Sequence, residues 1–90
     1  MNNVNPDICH EVRKLLHECG KSRPLSVESI YVYIRDAERL EKTIVVKSDV
    51  ATHLAHLERE GEVARVPNPD NPTLHTWTLT DAGRVRVAQS

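Results

Sequence analysis

The first regular pattern along the chain is helical. Ile8, Val12, Leu15, Leu16 and Cys19 recur at i, i+4, i+7, i+8 and i+11, one apolar stripe along a turning chain. Asn5 offers a capping side chain, Pro6 suits the first helical position, and Asp7 puts negative charge at the positive end of the helix dipole. Gly20 is a stop signal. These positions predict a helix over residues 6–19. Pro24 disfavours helix just before it, so the next stretch reads as a connector with a short extended piece around Arg23 to Leu25. Ser26 then caps a second helix, about 27–40, with Val27, Ile30, Ile34 and Ala37 as its stripe and Leu40 a turn further on. Tyr31, Val32 and Tyr33 would also suit a strand, but the helical period holds over the whole window.

The link 41–47 is β-branched and reads as a tight turn or an edge of extended chain. Ser48 caps a third helix, about 49–60, with Asp49 in its first turn and Val50, Leu54 and Leu57 facing inward. Gly61 ends it, and the apolar period then changes. "EVARV" and "TLHTWTL" are strand-like, and "PNPDNP" between them holds three prolines in six residues, which makes it a loop. The pair predicts a β-hairpin over about 62–79. Trp77 alternates with Leu79 on one strand face, with His75 on the same side, and reads as a core plug. Thr80 caps a short terminal helix, 81–88. Three helices and a hairpin make an α+β fold in which the hairpin seals a core that three short helices leave open, one domain spanning 1–90.

The stretches "SDVATHLAHLEREGEVARV" and "WTLTDAGR" resemble the winged helix-turn-helix superfamily, found in many bacterial and archaeal transcriptional regulators. In that family a helix patterned like Leu54, Leu57, Glu58, Gly61 and Val63 is the recognition helix. The hairpin after it is the wing, closed by a run like Leu79, Thr80, Gly83 and Arg84. The resemblance covers the second half of the chain by motif and the first half by element order. It implies a DNA-binding regulator with the third helix in the major groove. Two departures are visible. The link 41–47 is long, as in winged-helix modules attached to metallo-β-lactamase-like hydrolases, and the wing tip carries Asp70 with no Lys or Arg.

At 100° per residue, the face of the third helix opposite its core holds Ser48, Thr52, Ala55, His56 and Arg59. Ser48 and Thr52 can bond phosphates or base edges, Ala55 permits close approach, and Arg59 can pair with phosphate or guanine. Lys47 stands just before the helix, where an anion is favoured. Arg65, His75 and Arg84, on the wing and its flank, are the candidate backbone contacts. The plain alternative is a solvated helix face.

Charge changes the picture. Twelve Lys and Arg against 13 Asp and Glu give a net charge of -1, whereas a dedicated nucleic-acid binder usually shows a basic excess. From Lys47 to Val66 there are three basic residues and four acidic ones. Arg13, Lys14, Lys21 and Arg23 gather near the end of the first helix, and Arg84 and Arg86 near the C-terminus, where they would flank a duplex if they share its side. A second reading, a protein-interaction adaptor on the same fold, suits the near-neutral charge and the acidic, proline-rich wing.

The remaining chemistry is sparse. Cys9 and Cys19 are ten helical residues apart, about 15 Å, too far to pair, and read as partly buried reduced thiols. His53 and His56 are helix-surface neighbours, but with no CxxC or HExxH spacing no metal site or cofactor is expected. Neither a Gly-rich phosphate loop nor a local Ser, His and Asp set occurs, so no enzymatic role is expected. The first 14 residues lack a basic segment followed by an apolar run, and no run is long enough to span a bilayer, so the expected location is cytoplasmic. The expected partner is double-stranded DNA, bound alone or as a homodimer, with a protein partner as the alternative.

Overall fold

A computed structural model of the chain describes residues 4–19, 24–36, 45–68, 70–71 and 74–89. In order these form α1 (Pro6–Glu18), β1 (Leu25–Ser26), α2 (Val27–Arg35), α3 (Lys47–Arg59), β2 (Val63–Pro67), β3 (His75–Leu79) and α4 (Asp81–Ala88). The fold is α+β, a helical cluster closed by a three-stranded antiparallel sheet in the order β1-β3-β2. This is the winged-helix arrangement.

Local signals set most of the boundaries. Asn5 caps α1 by accepting from the Asp7 amide, with Pro6 in the first turn. Ser26 caps α2 by accepting from the Ser29 amide, and Thr80 caps α4 by accepting from the Gly83 amide. The second helix is shorter than the expected 27–40, ending at Arg35 with Asp36 as its C-cap, and the expected stop at Gly20 lies outside the described residues. So does most of the link 41–47.

The start of α3 differs from expectation. Ser48 does not cap it, for the helix already includes Lys47 and its N-cap is Val46. Val45 is buried at 8% exposure and draws the chain inward two residues earlier. Asp49 then reaches back, its carboxylate accepting from the Val46 amide at 3.2 Å. Valine has no side-chain acceptor, so only this half of a capping box forms. The sheet also gains a member. Leu25 pairs with Trp77 and Ser26 with Thr76, so the short extended piece before α2 is a third strand.

The core collects Val12, Leu16, Ile30, Ile34, Val50, Leu54, Leu57, Val63, Trp77 and Leu79, from all three larger helices and both wing strands. Each fully buried aliphatic side chain contributes roughly 1.5–3 kcal/mol. Trp77 is 6% exposed and plugs the sheet side of the core as expected. His75, on the same strand face one register step out, is exposed.

The junction after α3 is the most constrained part of the chain. Gly61 takes φ +77°, the left-handed conformation that glycine adopts without strain. Its amide donates to the Glu58 carbonyl at 3.0 Å and the Glu62 amide to the Leu57 carbonyl at 2.9 Å, a Schellman termination. The Thr80 hydroxyl donates to the Gly61 carbonyl at 2.6 Å, and the Thr80 amide to the Glu62 carbonyl at 3.0 Å. A Cβ on Gly83 would clash with that same Glu62 carbonyl oxygen and sit 2.6 Å from Leu79 Cδ1. The Leu-Thr-x-x-Gly run therefore has a physical meaning: it lets α4 start flush against the end of α3.

Candidate nucleic-acid interface

A face of α3 can serve as an interface only if the rest of the helix is held. Val50, Leu54 and Leu57 do this as expected, and His53 joins them at 2% exposure. The His53 ring spans two helices. Nδ1 lies 2.6 Å from the Asp49 carbonyl, which can only accept, so Nδ1 carries the proton. Nε2 then accepts from the Asn5 amide at 2.8 Å, tying the start of α1 to α3. Both ring nitrogens are used, so no lone pair remains for a metal. Among the described residues no group of three or more His, Cys, Asp or Glu side chains is placed to hold one.

Including His53 in the core rotates the inward direction by roughly 20° at 100° per residue. Ser48, Thr52, Ala55 and Arg59 become the centre of the outer face, and all four are exposed. His56 moves off that centre and is half-buried, in a depression with Arg13, Glu60, Glu62, Ala82, Val85 and Arg86, on the side of α1 and α4. Ala51 takes the opposite flank and is exposed. The sequence pattern hides Ala51, because a helical wheel centred without His53 turns it away from the outer face.

The flank holding Lys47, Ala51 and Ala55 forms one wall of a groove of about 580 Å³. The start of α2 and the wing form the others, through Glu28, Arg65, Leu74, His75 and Trp77. The groove thus brings together Lys47, Ala55, Arg65 and His75 from the expected set. It does not include His56 or Arg84.

Most of the expected cations are already engaged. Lys47 Nζ donates to Glu28 Oε1 at 2.6 Å. Arg65 Nη2 donates to Glu58 Oε1 at 2.9 Å, and its guanidinium lies 5.1 Å from the centre of the Trp77 ring. Arg84 Nη1 donates to Asp81 Oδ1 at 2.5 Å. Arg59 alone among the cations of α3 has no partner among the described residues. Thr52 is also partly committed, since its hydroxyl donates to the Ser48 carbonyl at 2.9 Å. In that state it offers lone pairs and a methyl group outward, which suits a base amino group or a thymine methyl better than a phosphate.

Arg13 is not a flanking cation. Its Nε contacts Glu62 Oε1 at 2.5 Å with both side chains 11% exposed, and Arg86 Nε lies 3.7 Å from the same oxygen. This cluster is structural, closing α1 and α4 over the α3 junction. Cys9 packs beside it, and burial pushes its thiol up from the ordinary value, with Arg13 opposing and Glu62 adding to the shift. Cys19 is exposed rather than partly buried. Lys21 and Arg23 lie outside the described residues. In the hairpin connection the Asn68 side chain accepts from the exposed Asp70 amide at 2.9 Å. No helix among the described residues is long and apolar enough to cross a membrane.

No protein-family model and no curated protein matches the chain. Solved structures do. A Staphylococcus aureus MepR–DNA complex superposes with a TM-score of 0.71 at 16% identity, over 97% of this chain and 61% of that one. Streptococcus pneumoniae FabT in complex with DNA gives 0.63 at 20% identity, over 97% and 52%. BpsR of Bordetella bronchiseptica, whose DNA binding is regulated by 6-hydroxynicotinic acid, gives 0.71 at 17% identity, over 97% and 53%. At these identities the likeness is one of fold, and the chain spans about half the length of the structures it matches.

Proposed function

We propose that this chain is a DNA-binding transcription regulator that lays the outer face of α3 in the major groove, with the β2–β3 hairpin alongside as a wing. The observation that carries the reading is the division of α3. Val50, His53, Leu54 and Leu57 fix the helix from inside, while Ser48, Thr52, Ala55 and Arg59 stand exposed with no packing role. A held helix presenting short hydrogen-bonding groups, one small residue and one arginine with no partner among the described residues suits a base-edge reader. Two of the similar structures, MepR and FabT, were determined with DNA.

In this reading Ser48, Thr52, Ala55 and Arg59 face the bases, and Lys47, Arg65 and His75 lie toward phosphates on the groove side. His56 and Arg84 are outlying contacts. No catalytic role is assigned, and the setting is cytoplasmic. Binding as a homodimer on a two-fold site follows the usual logic of helix-turn-helix readers.

The test is an amide shift titration with random duplex DNA at low and moderate salt. Perturbations should cluster on residues 47–60, and Arg59→Ala should weaken binding about tenfold. With most cations paired internally, about two to four phosphates are neutralised, giving a slope of about -2 to -4 in log K against log salt. Shifts that are absent, or scattered over the whole surface, would favour the adaptor reading, with the apolar groove as the docking face.

A further inference from the structure

Each groove-side cation of the proposed interface is already occupied by a carboxylate from its own chain. Lys47 bonds Glu28 across from α3 to α2, 19 residues away in sequence. Arg65 bonds Glu58 from the wing back to α3. Lys47, Glu28 and Arg65 all line the groove between α2, α3 and the wing. A carboxylate offers a cation two oxygens in a planar fork, much as a phosphate does, so the geometry that suits one also suits the other.

We infer that Glu28 and Glu58 are specificity-determining residues that stand in for DNA phosphates on Lys47 and Arg65. The inference rests on the reading of α3 as the DNA-facing helix. Phosphate must displace each carboxylate before it gains a cation, so backbone contact alone brings little net attraction. Base-edge contacts through Ser48, Thr52 and Arg59, which have no carboxylate partner among the described residues, then form a larger share of binding. The Lys47–Glu28 pair is largely solvent-exposed, with side-chain exposures of 54% and 77%, and the Arg65–Glu58 pair is partly exposed, at 45% and 34%. Exposed pairs are weak enough to exchange.

The experiment measures random-duplex affinity of the wild type, Glu28→Gln, Glu58→Gln and Glu18→Gln, across a salt series. Glu18 is exposed on α1, in a separate depression with Lys14 and Tyr33, so its variant makes the same change in net charge away from the groove. Glu28→Gln and Glu58→Gln should bind about two- to fivefold more tightly at low salt, and the gain should shrink as salt rises. The Glu18→Gln gain should stay below about 1.5-fold. In a Lys47→Gln background the Glu28→Gln gain should vanish, because the carboxylate then has no cation to cover. A gain equal to that of Glu18→Gln, or one that survives Lys47→Gln, overturns the inference while leaving the DNA reading intact. If the wild type fails to bind and Arg59→Ala is indifferent, the DNA reading fails and the inference fails with it.

Discussion

On its inner side α3 presents Val50, His53, Leu54 and Leu57, none more than 2% exposed, and it ends in a junction where Gly61, Glu62, Thr80 and Gly83 constrain one another. On its outer side Ser48, Ala55 and Arg59 are exposed, and Arg59 has no ion-pair partner among the described residues. One helix therefore carries two kinds of sequence constraint. On the inner side each residue is fixed by volume and hydrogen-bond count, and on the outer side, under the proposed function, by contact with DNA. Substitutions should separate the two sides sharply.

The largest effect is expected at Trp77, which closes the core beneath the wing. Trp77→Ala should cost about 3–5 kcal/mol in chemical denaturation. As the only tryptophan, Trp77 should emit at blue-shifted wavelength in the native protein and move red on unfolding. Native emission already typical of water would show that the hairpin does not cover the core. Its indole N–H has no hydrogen-bond partner among the described residues, so Trp77→Phe should cost much less than Trp77→Ala.

Next comes Gly83. A methyl group there meets the Glu62 carbonyl and Leu79, and the backbone of the junction is tied on both sides, so it cannot easily move away. Gly83→Ala should cost about 1–3 kcal/mol as overpacking, despite the better helix propensity of alanine. A neutral or stabilising result would mean that α4 is not seated against the end of α3.

Much of the inner side is legible in the amino-acid sequence. Asn5, Ser26 and Thr80 cap the helices as their side chains suggest, Gly61 terminates α3, and the shift from helical period to alternation marks the hairpin. These signals act over a few residues, where local chemistry decides. The features that escape the sequence depend on distant partners. His53 is buried because the Asn5 amide, 48 residues away, supplies its second hydrogen bond, and its burial moves His56 off the outer face. Arg13 looks like a surface cation until Glu62, 49 residues on, is brought against it. The early start of α3 depends on the burial of Val45, which no capping rule signals. Lys47 and Arg65 likewise look free in sequence, and only the fold shows that they meet Glu28 and Glu58.

A smaller effect concerns acid. The hydrogen bond and charge of Lys47 hold the Glu28 carboxyl below its ordinary value. With the folded value depressed, the contribution of the pair is complete above the ordinary carboxylate range, about 4.3, and is lost as pH falls through the lower folded value. Between pH 6 and 8 the affinity difference between Glu28→Gln and wild type should therefore stay constant. A difference that changes across that range would show that another titrating group governs the pair.

The smallest effect on stability belongs to the outer side itself. Thr52 lies mid-helix, exposed, with its hydroxyl turned back to the Ser48 carbonyl. Such back-bonding does little for a helix, and threonine is a poorer helix former than alanine. Thr52→Ala should leave stability unchanged or raise it, by up to about 0.5 kcal/mol. If Thr52 meets a base edge, the same change should lower affinity for a selected duplex while random-duplex affinity is nearly unaltered, since no charge is removed. Denaturation and binding measured on one preparation would then move in opposite directions. A stability loss above about 1 kcal/mol would show that this face is tied to the fold after all, and would remove the distinction between the two sides of α3 on which the DNA reading depends.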